Sequence, residues 1–100
     1  MKNKLKLIIT KSAQDDIRGI VSYIALDNKT AALKFAKVIK NTFVYLSDYP
    51  NMGKKRPEYT DEDVLFFTTK WSYNIVYKLE NGKLYVVRVL SEYQDCSLIF

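Results

Sequence analysis

The residues best equipped for chemistry in this chain are cations and phenols. Lys54, Lys55 and Arg56 stand side by side just after a turn signal, Arg88 lies in the last apolar run, and Tyr93 follows it. Adjacent cations neutralise a phosphate backbone and release its counterions. Lys54-Lys55-Arg56 therefore reads as a phosphate clamp, and equally as an ordinary solvated loop. An RNA-cleaving site needs an orienting group for the 2′ hydroxyl, cations for the phosphate and a proton source for the leaving oxygen. Lys55, Arg56, Arg88 and Tyr93 supply those types, with Glu92 and Asp95 as the nearby carboxylates. Spacing alone does not assemble them into a site. Tyr93 serves proton transfer only if cations lower its pKa, and otherwise packs. Lys34, Lys37 and Lys40 form a second group of cations, suited to gripping an acidic partner.

Much other chemistry has no residues to run it. The chain has no histidine and one cysteine, Cys96, so a Ser-His-acid site and an internal disulfide cannot form, and the usual zinc and iron ligands are missing. Asp61, Glu62 and Asp63 are consecutive acids on an expected loop, better read as solvated than as a magnesium site. No phosphate-binding glycine loop, dinucleotide fingerprint or nucleophile elbow occurs. No cofactor or metal is expected. The net charge of +5 divides unevenly, with +7 on residues 1–60 and −2 on residues 61–100. A basic first part fits contact with nucleic acid, the ribosome or an acidic protein segment. The apolar stretch near the start, Leu7 to Ile9, is too short for a signal peptide or membrane span, which points to the cytoplasm and to no membrane partner.

The elements that must carry these residues follow from periodicity. A chain of 100 residues with 48% apolar side chains bears one core, so residues 1–100 are expected to form one domain. Residues 4–10 alternate as a strand. Ser12 is placed to cap a helix in which Ala13, Ile17, Ile20, Val21 and Ile24 recur at helical spacing, giving a helix from Ser12 to Leu26. After the polar break Asp27-Asn28-Lys29, Ala32, Phe35, Ala36, Ile39, Phe43 and Leu46 stripe a second helix, antiparallel to the first. Pro50 and Gly53 mark its exit, and residues 51–63 form an exposed connection. Three strands follow, at residues 64–68, 72–79 and 84–90, the last two joined by an Asn81-Gly82 hairpin turn. In the last strand Leu84, Val86 and Leu90 accompany Arg88, with Tyr85, Val87 and Val89 opposite. So apolar a strand belongs at the centre of the sheet or under the segment Cys96 to Phe100, and Arg88 must emerge in a groove or meet a carboxylate. The fold class is α+β, with both helices on one sheet face.

Several short strings, taken in order, give the chain a family likeness. These are Ser12-Ala13-Gln14-Asp15-Asp16-Ile17, Tyr23-Ile24-Ala25, Tyr49-Pro50-Asn51-Met52-Gly53, Arg56-Pro57-Glu58, Tyr73-Asn74-Ile75-Val76-Tyr77 and Arg88-Val89-Leu90. From about Leu5 to Asp95 the chain resembles the ParE/RelE superfamily of bacterial toxins, in its ParE-like, plasmid-stabilisation branch. The resemblance implies a helix hairpin on a curved, mainly antiparallel sheet, and a cognate antitoxin that wraps and blocks the toxin. It also implies a target: DNA gyrase for several ParE-like members, or messenger RNA on the ribosome for RelE-like ones. Ser91 and Gln94 stand where the ParE-like ending often has His and Arg, and the Arg often found near the position of Val64 or Leu65 is absent. These departures strip cations and a terminal proton-transfer residue, and so favour gyrase inhibition over RNA cleavage. A domain that binds antitoxin without toxicity is the third reading.

Overall fold

The computed structural model describes residues 5–69 and 73–91. Strand β1 (Lys6–Ile9) leads directly into helix α1 (Lys11–Asp27) and helix α2 (Lys29–Asp48), then a 3-10 turn at Pro50–Met52. Three strands close the described chain: β2 (Leu65–Thr68), β3 (Tyr73–Glu80) and β4 (Lys83–Ser91). The α+β order of strand, helix hairpin and three-strand meander is as the periodicity predicts.

The helix ends differ from expectation in an informative way. Ser12 is already inside α1, and the N-cap is Thr10, whose Oγ1 accepts from the Ala13 N–H at 3.3 Å. The same hydroxyl donates toward the carbonyls of Val86 and Val87, at 2.9 and 3.1 Å, so the cap also ties the helix start to β4. A local pattern favours Ser12, but only Thr10 sits where both the helix and the sheet need an oxygen. The break between the helices shrinks to one residue. Asn28 donates its N–H to the Ile24 carbonyl at 2.8 Å, and its Oδ1 accepts from the Ala31 N–H at 3.0 Å. One residue, through its backbone N–H and its side-chain oxygen, thus satisfies orphan groups at two helix termini, which is why the hairpin needs no longer loop.

The sheet runs β1-β4-β3-β2, with β1 parallel to β4 and the other pairs antiparallel. Asn81 and Gly82 have φ of 52° and 72°, the two positive values that a tight hairpin turn demands. β4 is central, as its apolar composition requires. On one face Ile75, Tyr77, Leu84, Val86 and Val89 meet Phe35, Ile39, Phe43 and Leu46 of α2 and Ala13 of α1. On the other, Val76 and Leu90 join Val64 and Phe66, with Val87 packed beside them.

The side-chain phase of β4 departs from simple alternation. Tyr77 pairs with Val86 while its neighbour Val76 pairs with Arg88, so Val87 is an extra, bulged residue. A bulge reverses the phase downstream. Val89 therefore joins Leu84 and Val86 in the helix-side core, and Leu90 turns to the opposite face, contrary to the expected grouping. Alternation could not reveal this, because the strand is apolar on both sides.

Candidate partner-binding surface

Arg88 is the residue whose surroundings are most fully defined. β1 ends opposite Val86, so among the described residues the edge of β4 beyond that point has no strand neighbour. Asp16 of α1 fills the gap. Its Oδ2 accepts from Arg88 Nε at 2.7 Å and from the Val89 N–H at 3.0 Å, and its Oδ1 accepts from an Arg88 terminal nitrogen at 2.9 Å. The two side chains are 16% and 29% exposed, so the forked pair is largely withdrawn from water. The hydrogen bond from Arg88 to Asp16 raises the guanidinium pKa further, against the opposing effect of burial. The expectation that Arg88 meets a carboxylate holds. Asp16 itself carries no local signal: an acid in the second turn of a helix reads as solvated, and its partner lies 72 residues away.

The other cations are dispersed. Lys54 forms a β-bridge with Phe66, its N–H and carbonyl bonding those of Phe66 at 2.9 and 2.8 Å. Phe66 faces Val76, and Val76 faces Arg88, so a single row across the sheet separates Lys54 from Arg88 by three strand spacings, roughly 14 Å. Lys55 Nζ meets Asp63 Oδ1 at 3.0 Å on the surface. Arg56 accepts from the Tyr59 and Thr60 N–H groups through its carbonyl, and shares a recess with Asp61, Glu62 and Asp63. Within the Lys54-Lys55-Arg56 run, Lys55 is thus paired with an acid and Arg56 lines a recess with three of them. Tyr59 packs its ring 5.7 Å from Phe66. Tyr93 lies outside the described residues, as do Glu92, Gln94, Asp95 and the segment Cys96 to Phe100.

Lys34, Lys37 and Lys40 all lie exposed on α2, and among the described residues none of them forms an ion pair. Beside the hairpin runs an open groove of about 540 Å³ with Ile20, Tyr23, Tyr73 and Val89 in its wall and Asp15 and Asp16 at its rim. Tyr73 also lines a smaller recess with Ile24, Ala31, Lys34 and Phe35, and its ring lies 5.1 Å from that of Phe35. α1 buries only Ala13 completely, and its other core-facing apolar residues stay half-buried, so this side of the hairpin presents apolar surface. Tyr23 and Leu26, at 77% and 87% exposed, extend it. Among the described residues no group of metal-binding side chains is present, and no helix is long and apolar enough to cross a membrane. What the arrangement offers is a preformed surface of lysines and apolar side chains.

The family model for the ParE toxin of the type II toxin-antitoxin system, parDE, matches residues 7–95. The chain belongs to the ParE toxin family. Membership makes it the toxin side of a toxin-antitoxin pair, with a cognate antitoxin as partner. Among solved structures, a chain of the chromosomal ParDE system from P. aeruginosa superposes with a TM-score of 0.74 at 22% identity, covering 89% of this chain and 97% of that one. At that identity the likeness speaks for the ParE fold alone. The solution structure of a conserved hypothetical protein, HP0894 from Helicobacter pylori, aligns at 0.49 and 18% identity over 90% of this chain and 97% of that one, too loosely to carry weight. No curated protein matches.

Proposed function

We propose that this ParE-family toxin acts in the cytoplasm by stoichiometric binding, inhibiting DNA gyrase until a cognate antitoxin covers it. The observation that carries the reading is the state of its cations. Of the four residues that would serve RNA cleavage, Arg88 is forked onto Asp16 and Lys55 is paired with Asp63, on separate elements. A nuclease needs cations free to converge on one phosphate. Among the described residues the lysines of α2 form no ion pair, and they lie exposed along one helix, which suits docking and not bond cleavage.

Titrating purified toxin into a gyrase supercoiling assay tests this directly. Inhibition should saturate near a stoichiometric ratio of toxin to gyrase, and a cognate antitoxin should reverse it. Cuts in ribosome-bound messenger RNA, with supercoiling unaffected by folded toxin, would replace this reading with a nuclease.

A further inference from the structure

Three aromatic rings meet at the exit of α2, none of them in the wall of the groove beside the hairpin. Tyr45 and Tyr49 stand one turn apart on the helix with ring centroids 5.1 Å apart, and the ring of Phe67 on β2 lies 6.4 Å from that of Tyr45. Tyr45 and Tyr49 are 40% and 46% exposed, and Met52, in the 3-10 turn that follows, is 48% exposed. Rings already held against one another lose little freedom when a partner covers them, so the three form a ready shelf.

The electrostatics of this end select one kind of occupant. α2 has four lysines from Lys29 to Lys40, whereas residues 41–53 contain no lysine or arginine and one acid, Asp48. β2 adds no charge. The last turn of α2 has no basic residue to meet the negative pole of the helix dipole. The faces of the rings are themselves negative. On the sheet the chain sets its own cation over a tyrosine, with Lys78 Nζ 5.4 Å from the ring centroid of Tyr85. Among the described residues no cation stands over Tyr45, Tyr49 or Phe67.

We propose that this shelf receives an arginine carried on an apolar segment of a partner protein. The guanidinium plane stacks on the rings of Tyr45 and Tyr49, and the apolar neighbours of that arginine rest on Phe67 and Met52. Arginine fits better than lysine, because its planar, weakly hydrated head lies flat on an aromatic face. An all-apolar segment would leave the two phenol hydroxyls and the negative pole unanswered. The phosphates of a nucleic acid would meet that pole with like charge. The inference rests on the reading of the toxin as a stoichiometric binder.

The test titrates full-length toxin with capped peptides and follows the NMR shifts of its tyrosine rings and backbone amides. One peptide is Gly-Leu-Arg-Leu-Gly. A second has citrulline, which keeps the shape of arginine without its charge, and a third has lysine. The arginine peptide should move the Tyr45 and Tyr49 rings, and the citrulline peptide should bind at least about fivefold more weakly, with the lysine peptide also weaker than arginine. Tyr45→Leu with Tyr49→Leu keeps apolar area and should abolish the preference for arginine, whereas Tyr45→Phe with Tyr49→Phe keeps the ring faces and should retain it. Circular dichroism checks that each variant stays folded. Equal binding of the arginine peptide and either control overturns the proposal, as does an arginine preference that survives the leucine changes or the absence of any ring shift. A single-stranded oligonucleotide that binds the same rings more tightly would also overturn it, assigning the shelf to bases. Ring shifts that depend on the concentration of toxin alone would do so too, assigning it to a second copy of the chain. None of these readouts involves gyrase, so the gyrase assignment and this one fail separately.

Discussion

Replacing Gly53 by alanine would put a methyl group where there is no room for one. A Cβ built on Gly53 falls 2.5 Å from the Tyr77 hydroxyl oxygen, 2.7 Å from its Cε1 and 2.9 Å from its Cζ. The backbone at Gly53 is extended, with φ of −79°, so alanine meets no conformational penalty and the whole effect is steric. Tyr77 cannot swing away, because it is wholly buried. Its hydroxyl accepts from the Gly53 N–H and donates to the Pro50 carbonyl, each at 2.8 Å, and so latches the exit from α2 onto β3. Ordinary contact requires the ring to retreat by roughly 1 Å. That movement forfeits two hydrogen bonds at about 1 kcal/mol each. Overpacking adds about 1–3 kcal/mol, while the stiffer unfolded chain returns about 0.4–1 kcal/mol. Gly53→Ala should therefore lose roughly 2–4.5 kcal/mol, which in a domain of this size lowers Tm by roughly 10–25 °C. Urea and thermal unfolding measure it, with Gly19→Ala as the control. Gly19 lies within α1 with nothing within 4 Å of its added Cβ, so that change should stabilise by about 0.5–1 kcal/mol. A Gly53→Ala protein within about 0.5 kcal/mol of wild type would refute the latch.

Three further outcomes follow from the same geometry. Thr10→Ala should cost about 1–2 kcal/mol through loss of the cap and its bond to β4, whereas Ser12→Ala should change stability by less than about 0.5 kcal/mol; chemical denaturation separates the two. Asp16→Asn should cost about 2–3 kcal/mol, since it removes the charge that Arg88 and the Val89 N–H converge on, and hydrogen exchange should show faster opening at Val89. Burial raises the Tyr77 phenol pKa, and the bond from Gly53 only partly offsets this. The fold thus holds the neutral phenol: its contribution is complete below the pH near 10 at which an unfolded tyrosine ionises, and is lost as pH rises through the folded value. Alkaline titration of stability should fall more steeply for wild type than for Tyr77→Phe, and parallel curves would contradict this.

Where a feature depends on neighbours in the chain, the sequence displays it. Asn81-Gly82 announces its turn, and the stripe of Phe35, Ile39, Phe43 and Leu46 announces the buried face of α2. Where a feature depends on distant partners, local pattern misleads. Ser12 has the residue type of a cap, yet Thr10 takes that role because it also reaches Val86 and Val87. The Val87 bulge is invisible in a strand apolar on both faces. Asp16 acquires its role only when α1 is laid across the open edge of β4. The basic run Lys54-Lys55-Arg56 looks like a concentrated cation until folding sets Asp63 against Lys55.

The parallel pairing of β1 with β4 also governs when the protein can become itself. Ile8 lies opposite Tyr85, so among the described residues β1 gains its sheet neighbour only once β4 has been synthesised. Closing a loop of that length carries an entropic cost that helix formation does not share. The hairpin of α1 and α2 should therefore assemble early, while Leu7 and Ile9 wait unburied. A toxin arrested before β4 is then a helix hairpin with at most the β2–β3 pair, and it lacks the central strand that joins that pair to β1.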